Sequence, residues 1–490
     1  MPSVLEALGA APAGRVALED GERSWTYAAL AGAVREERAW LLGAAAGRVG
    51  LVADNGGAWV VADLALHAGN VVSVPLPPWF TPAQLRHSVD DAGLDTCLTD
   101  RPEVLLAQLP DFHRAGIAPR SGLALLRRRR AIVQPALPEG VTKVTYTSGS
   151  TATPKGVCLA ATDIESVARS LAAATAGADV ERHLCLLPLS TLLENLAGVY
   201  VPLLRGATCV VPASSTTGLS YGDPDPGRML ASISAWAPNS LILVPELLRM
   251  LVAAVDRGWA PPASLRFIAV GGASVSVELL ERAAAAGLPV FEGYGLSECA
   301  SVVTLNVPGA ARPGSAGRPL PHCRVTRAPD GELIVQGIAY RGYLGEPPRR
   351  PGEPLSTGDL GEIDEDGYVH VRGRHRNLFI TSLGRNVSPE WVERELLAEP
   401  GIEQAFVHGE ALPFPVALVL ARPGVSVESA LATANRRLPE YARVRRWARL
   451  PEPMTSASGL LTANGRPRRA AILDRHGALL DSLGQHAAAS

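Results

Sequence analysis

Two short apolar runs, residues 48–53 (RVGLVA) and 71–74 (VVSV), lack the polar alternation of a half-exposed strand. Between them residues 58–68 are long enough for a helix. Strands buried on both faces and joined by a helical crossover make a parallel βαβ unit, which commits the chain to an α/β layer architecture. Thr81 and Gln84 stand at the capping-box spacing for a second helix, and residues 95–99 read as the next strand. The same grammar returns downstream. Strands are expected at 184–187, 208–211, 240–244, 267–270 and 290–291, with helices at 164–175, 229–236, 246–256 and 277–286, so two doubly wound halves follow one another.

After about residue 301 the texture changes to Gly- and Pro-punctuated alternation, as in 331–337 (GELIVQG) and 361–372, which reads as a small antiparallel unit. A third texture starts at Asn377. It holds a strand at 378–381, a helix opening near Ser388-Pro389-Glu390, strands at 404–408 and 416–420, and a helix from Val427. The expected fold is α/β: a large N-terminal domain, 1–376, of two doubly wound subdomains plus a small antiparallel β subdomain, then a small α+β C-terminal domain, 377–490.

Composition narrows the function. The 46 basic side chains nearly balance the 48 acidic ones, and the run 127–130 is too short to make a nucleic-acid footprint. With 47% hydrophobic residues the chain can build several cores, so disorder is excluded as the main state. Even the apolar region 52–74 carries Asp54, Asp63 and His67, so no membrane span is expected. Glu6, Glu19, Asp20 and Glu22 break any signal-peptide pattern, and a cytoplasmic enzyme is the default. Cys97, Cys158, Cys185, Cys209, Cys299 and Cys323 form no C-x-x-C pair, which argues for reduced, buried thiols rather than a zinc site or a disulfide framework. The cationic residues are lopsided: only Lys143 and Lys155 are lysines, and the other 44 are arginines. Ten of those arginines fall in 436–475 against Glu440, Glu452 and Asp474, an excess of seven positive charges that suits an anionic partner.

The strongest local signal is 144–156, VTYTSGSTATPKG, a β run opening into a loop of hydroxyls and small residues. Small residues let the backbone approach an anion. The N–H groups and the hydroxyls of Thr147, Ser148, Ser150 and Thr151 can donate to phosphate oxygens, and Lys155 adds a compact charge. One of only two lysines sits in this loop, and the other, Lys143, just ahead of its strand. The spacing is not G-x-x-x-x-G-K-[ST], so this is a different kind of phosphate binder.

The loop resembles the signature of the adenylate-forming superfamily of acyl-CoA synthetases, nonribosomal-peptide adenylation domains and luciferases. The resemblance continues in order through 293–298 (GYGLSE), 312–319 (RPGSAGRP), 356–359 (STGD), 373–377 (GRHRN), 384–389 (GRNVSP) and 465–469 (GRPRR). Residues 187–194, LPLSTLLE, are most similar to the long- and medium-chain acyl-CoA synthetase branch. The resemblance implies ATP and Mg²⁺ as cofactors. Thr147, Ser148, Gly149, Ser150 and Thr151 would cradle the phosphates with Lys155. Gly293, Tyr294, Gly295 and Ser297 would form the adenine side, with the tyrosine stacked on the base. Asp359 and Arg374 would hold the ribose, and Glu298 with Thr147 would hold Mg²⁺, a hard cation suited to oxygen ligands. A carboxylate would attack the α-phosphorus of ATP, and the acyl adenylate would pass to a thiol, that of CoA or of an acyl carrier protein's phosphopantetheine. The mobile C-terminal domain would rotate about Asn377, where the family has Asp or Lys, and the loop around Gly384 would line the thiol channel.

Three positions depart from the family pattern. Arg466 stands where a lysine normally bridges the carboxylate and the α-phosphate. It keeps the charge but replaces a point with a planar fork, which leaves three readings: the same task done differently, a chain that adenylates slowly or takes an activated acyl group, or retained nucleotide binding without catalysis. Arg468 and Arg469 are close enough to be the reaching residue instead. Ala152 replaces a phosphate-loop glycine, and Thr191 a histidine bordering the acyl pocket. Leu192, Leu193 and the strand end Gly271-Gly272-Ala273 suit a hydrophobic carboxylic acid, or are ordinary core. The function expected is an ATP-dependent acid–thiol ligase; β-lactone formation through the adenylate and a non-catalytic nucleotide-binding regulator are the alternatives.

Overall fold

The computed structural model of the chain describes residues 2–44, 47–78, 80–130, 132–147, 154–219, 224–273, 275–350, 352–382, 385–462 and 465–485. Two large sheets carry the N-terminal part. The first has seven strands in the order Phe112–Ile117, Ala124–Arg128, Thr96–Thr99, Arg48–Val52, Val72–Pro75, Val141–Thr147 and Lys155–Ala160. Its centre is parallel, as the unbroken apolar runs predict, and its two edges are antiparallel. The crossover helix Gly57–Ala68 is almost wholly buried. Thr81 caps the helix Pro82–Asp91 with both arms of the capping box made: Gln84 N–H donates to Thr81 Oγ1 at 3.2 Å, and Thr81 N–H to Gln84 Oε1 at 3.1 Å.

The second sheet has nine strands: Arg318–Pro319, Ser301–Leu305, Val290–Leu296, Phe267–Val270, Ser240–Leu243, Arg182–Leu184, Thr208–Val210, Val16–Glu19 and Ser24–Thr26. The last two form an N-terminal hairpin that joins this second half, with Val16–Glu19 running parallel to Thr208–Val210. No local periodicity announces a pairing across nearly two hundred residues. The largest core fills the space between the two sheets, where Val49 and Leu51 of one and Leu18 and Cys209 of the other share the helices Tyr27–Ala44, Gly57–Ala68 and Ala161–Ala174. Separate cores cover the outer faces, giving stacked α and β layers.

The antiparallel unit expected after residue 301 is a four-stranded sheet of Cys323–Arg327, Glu332–Gly337, Leu355–Ile363 and Val369–Arg374. The C-terminal part has its own cores, made only of residues from Phe379 onward. Its sheet pairs Ile402–His408 with Val416–Ala421 and adds Arg446–Arg449 at the edge, flanked by the helices Pro389–Leu397, Val427–Arg436 and Arg469–Gln485. The arginine-dense sequence hid that edge strand and the last helix, because charge there masks the apolar period. At least four of the ten arginines are ion-paired within the C-terminal part: Arg437 with Glu395 and Glu399, Arg469 with Glu393, Arg445 with Glu440, and Arg475 with Glu452.

Lys143 lies inside the strand Val141–Thr147 rather than ahead of it, and is 2% exposed. Its ammonium contacts Asp63 Oδ1 at 2.9 Å and Asn195 Oδ1, while Tyr200 Oη and Asn195 Nδ2 donate to Asp63 Oδ2 at 3.0 and 2.9 Å. Burial alone would raise the Asp63 carboxyl; Lys143 and Asn195 outweigh it and hold it low. Among described residues this is a lysine doing structural work, unrelated to phosphate.

Candidate active site

The two strands flanking the hydroxyl-rich loop pair antiparallel, with Thr147 and Lys155 as register partners. Ser148, Gly149, Ser150, Thr151 and Ala152 lie outside the described residues. The loop's two ends are thus brought together, and Lys155, 52% exposed, projects from one of them. Its ammonium meets Glu346 Oε1 at 3.0 Å and stands 4.8 Å from the centroid of the Tyr343 ring. Tyr343 donates its hydroxyl to Glu298 Oε1 at 2.8 Å and packs edge-on against Tyr340, with centroids 4.9 Å apart. Burial and the Glu298 carboxylate push the Tyr343 phenol well above its usual range, so it stays a donor. The chain around Tyr343 is strapped onto the strand Lys155–Ala160: Cys158 N–H donates to Gly342 O at 3.1 Å and Leu344 N–H to Gly156 O at 2.8 Å. Tyr340 N–H reaches Glu298 O at 2.6 Å.

Gly293, Tyr294 and Gly295 sit on Val290–Leu296, which runs five residues beyond its expected end and pairs antiparallel with Ser301–Leu305. A Cβ at Gly295 would fall 1.8 Å from Ser301 O, so only glycine permits that approach. Ser297 and Glu298 follow in a single 3₁₀ turn, Ser297–Cys299. Tyr294 packs against the apolar cluster of the antiparallel unit and donates its hydroxyl to Asp359 Oδ2 at 2.7 Å; burial first, then the Asp359 charge, push its phenol up. Asp359 Oδ1 pairs with Arg374 Nε at 2.9 Å, and the aspartate is 3% exposed. Hairpin register supplies this pair, since Asp359 and Arg374 face each other across Leu355–Ile363 and Val369–Arg374. A cleft of about 330 Å³ opens between Glu298, Tyr340 and Tyr343 on one side and Thr357, Arg374 and Arg376 on the other.

Arg466 enters from the C-terminal part and donates to the carbonyl oxygen of Gly272. It remains open to water, yet protein crowds it: desolvation, then Arg374 and Arg376, lower its pKa, while Asp359 and Glu298 oppose them. Arg469 is committed elsewhere, to Glu393 at 2.7 Å and over the Phe406 ring at 4.4 Å, so of these two arginines Arg466 is the one that contacts the N-terminal part, at Gly272. Asn377 ends the 3₁₀ turn His375–Asn377 between the two parts and donates its amide to Glu390 Oε1. Gly271, Gly272 and Ala273 follow the strand Phe267–Val270, and a Cβ at Gly271 would stand 3.0 Å from Gly293 O. Leu192 is 6% exposed in the large inter-sheet core and lines no part of the cleft above. Thr191 closes its turn by donating to Pro188 O at 2.6 Å.

Two residues at this site carry no expectation from sequence. Tyr343 was legible only as the second aromatic of Tyr340-Arg-Gly-Tyr343, a weak signal. Glu292, beside Gly293, has Oε2 buried without a hydrogen-bond partner among the described residues. Desolvation raises its pKa to about 8, with Arg394 of the C-terminal part pulling the other way.

Comparisons with known proteins bear on the family and the fold. A family model described as AMP-binding enzyme matches residues 5–338. The long-chain-fatty-acid–CoA ligase FadD15 of Mycobacterium bovis is 30% identical over 246 residues, which are 44% of this chain and 41% of that protein. The chain therefore spans less than half the length of that relative. A feruloyl-CoA synthase of Amycolatopsis sp is 30% identical over 358 residues, 67% of this chain and 70% of that enzyme. Among solved structures, the anthranilate CoA ligase AuaEII in complex with anthranoyl-AMP superposes with a TM-score of 0.78 over 100% of this chain and 98% of that one; at 20% identity the likeness is one of fold.

Proposed function

The chain belongs to the AMP-binding enzyme family, and from that premise we propose that it activates a hydrophobic carboxylic acid with ATP and passes the acyl group to a thiol. In the first step a carboxylate oxygen bonds to the α-phosphorus, the bond to pyrophosphate breaks, and an acyl adenylate remains. In the second the thiol sulfur attacks the acyl carbon, its proton is lost, and AMP leaves. CoA is the acceptor the relatives' names favour; a carrier protein's phosphopantetheine arm presents the same thiol.

The observation that carries the reading is the grouping of charges beside one cleft: Arg374 and Glu298 line it, Asp359 pairs with Arg374, and Arg466, from another part of the chain, lies within electrostatic reach of all three. Asp359 and Arg374 suit the ribose hydroxyls. Lys155, beside the hydroxyl loop, suits the departing phosphates, and Arg466 can hold the incoming carboxylate against the α-phosphate, offsetting charge that develops there. Glu298 and Thr147 offer hard oxygen donors at the mouth of the phosphate loop, and Glu298 Oε1 is already oriented by Tyr343; they fit Mg²⁺, which would neutralise phosphate charge when bound. Separate cores on either side of Asn377 support domains 1–376 and 377–490, with the second turning about Asn377 between the two steps. No described helix is long and apolar enough to cross a membrane, and the reading takes the cytoplasm, where ATP and CoA are supplied, as the site of action.

The test is carboxylate-dependent exchange of labelled pyrophosphate into ATP across a broad acid panel. Exchange with an apolar acid, lost in Glu298→Ala, is expected. Absence of exchange with every acid overturns the reading.

A further inference from the structure

Three side chains outside the cleft converge where the mechanism uses none of them. His183 belongs to the strand Arg182–Leu184, Cys185 follows it, and Glu194 opens the π-helical turn Glu194–Tyr200. They are 2%, 0% and 0% exposed. The imidazole, thiol and carboxylate donor atoms all lie within 4.8 Å of one another. We propose that His183, Cys185 and Glu194 form a buried divalent-metal site, with zinc the ion that the donor set favours.

Ser240 Oγ lies 2.7 Å from His183 Nδ1. With that hydroxyl accepting the Nδ1 proton, Nε2 keeps its lone pair toward Glu194, the tautomer a ligating histidine needs. Nε2 and Glu194 Oε1 are 3.3 Å apart, long for a strong hydrogen bond but equal to the edge of a tetrahedron whose bonds are about 2.0 Å. Among the described residues Glu194 Oε2 is buried with no hydrogen-bond partner, a polar atom that a bound ion would satisfy. A Cβ at Gly198 would fall 2.7, 3.0 and 3.1 Å from Glu194 Oε1, His183 Nε2 and Cys185 Sγ, so glycine keeps the space among the three donors clear.

Charge selects the ion. A neutral imidazole, a thiolate and a carboxylate carry two negative charges, which a divalent ion cancels inside the core and a monovalent one does not. Thiolate and imidazole ligands favour zinc over magnesium or calcium. Burial raises the thiol and the carboxyl above their ordinary values, and because a metal ion binds their deprotonated forms it competes there with protons. The cysteine spacing could not show this set, because its members come from a strand, the loop after it and a helix.

The full chain, expressed with zinc supplied and then desalted, should hold about one zinc ion per chain by atomic emission. Its cobalt-substituted form should absorb in the near ultraviolet through a thiolate-to-cobalt transition. Glu194→Gln keeps the size of the side chain and removes its charge, so zinc held at any other site is unchanged; the proposal predicts a fall of about tenfold or more. Cys185→Ser should abolish the cobalt band, and if that variant does not fold, the glutamine variant decides alone. Wild-type protein with less than about a tenth of an equivalent of zinc, or undiminished zinc in Glu194→Gln, overturns the proposal.

Discussion

Arg466 donates a hydrogen bond to the carbonyl oxygen of Gly272, 194 positions earlier in the chain. The contact puts a guanidinium from the C-terminal part just past the strand Phe267–Val270, within electrostatic reach of Asp359, Arg374 and Glu298. If charge at this point is what adenylation needs, Arg466→Ala should slow adenylate formation about 100-fold, and Arg466→Lys should retain or raise the rate. Single-turnover mass spectrometry of the adenylate measures both. A collapse in the lysine variant would show that the planar fork itself is required.

Tyr343 ties two candidate phosphate-side groups together, through its hydroxyl to Glu298 and its ring face under Lys155. Tyr343→Phe keeps the ring and removes the donor. The Mg²⁺ concentration for half-maximal activity should rise about tenfold, as for lost outer-shell partners elsewhere, with little change in thermal stability. An unchanged Mg²⁺ titration would leave the tyrosine only a packing role.

Glu292 should make stability depend on pH. Its carboxyl titrates near 4.5 when unfolded but only near 8 when folded. Between those values the folded chain binds the extra proton, so stability is greatest below the unfolded value and falls as pH rises toward 8. Glu292→Gln should remove that loss, stabilising the chain relative to wild type by roughly 2–4 kcal/mol more at pH 8.5 than at pH 4.5. Urea unfolding at the two pH values tests the sign.

Arg437 bridges the two parts of the chain, with Glu278 on one side at 3.2 Å and Glu395 and Glu399 on the other at 2.9 and 2.8 Å. The pair with Glu278 is about one-third exposed, so Glu278→Gln should weaken the observed arrangement by only about 0.5–1 kcal/mol, and less at high salt. Taking the observed arrangement, with Arg466 at Gly272, as the adenylating one, the ratio of thioester-forming to adenylate-forming rates should rise by up to about fivefold; a falling ratio would show that this bridge does not favour adenylation.

Lys143→Met should be among the most damaging core changes. It strands Asp63 without its countercharge and should cost about 3–5 kcal/mol, read from denaturant midpoints. The double variant Lys143→Met, Asp63→Asn should recover part of that loss, because the uncompensated charge is gone.

Much of the architecture was legible because its signals are local. Unbroken apolar runs identified the strands around Val49 and Val72, Thr81 and Gln84 identified a helix start, and ordered short motifs singled out Glu298, Asp359 and Arg374, of which the last two form an ion pair. The N-terminal hairpin in the second sheet and the edge strand Arg446–Arg449 were not, because strand pairing is decided by distant backbone partners. Leu192, expected either in the acyl pocket or in the core, is in the core: its side chain carries no mark of which surface will cover it.

The sequence by itself determined which chemical groups exist and in what order, down to an arginine at 466 and two lysines in the whole chain. Tertiary structure alone decided what each group faces. It turned Lys143 into the centre of a buried ion-pair network, left Lys155 exposed at one end of the hydroxyl-rich loop, brought Arg466 to Gly272 while tying Arg469 down, and set Tyr343 between Glu298 and Lys155. The physical reason is that charge and hydrogen bonding act over a few ångströms of space, with strength set by local burial, and distance along the chain fixes neither.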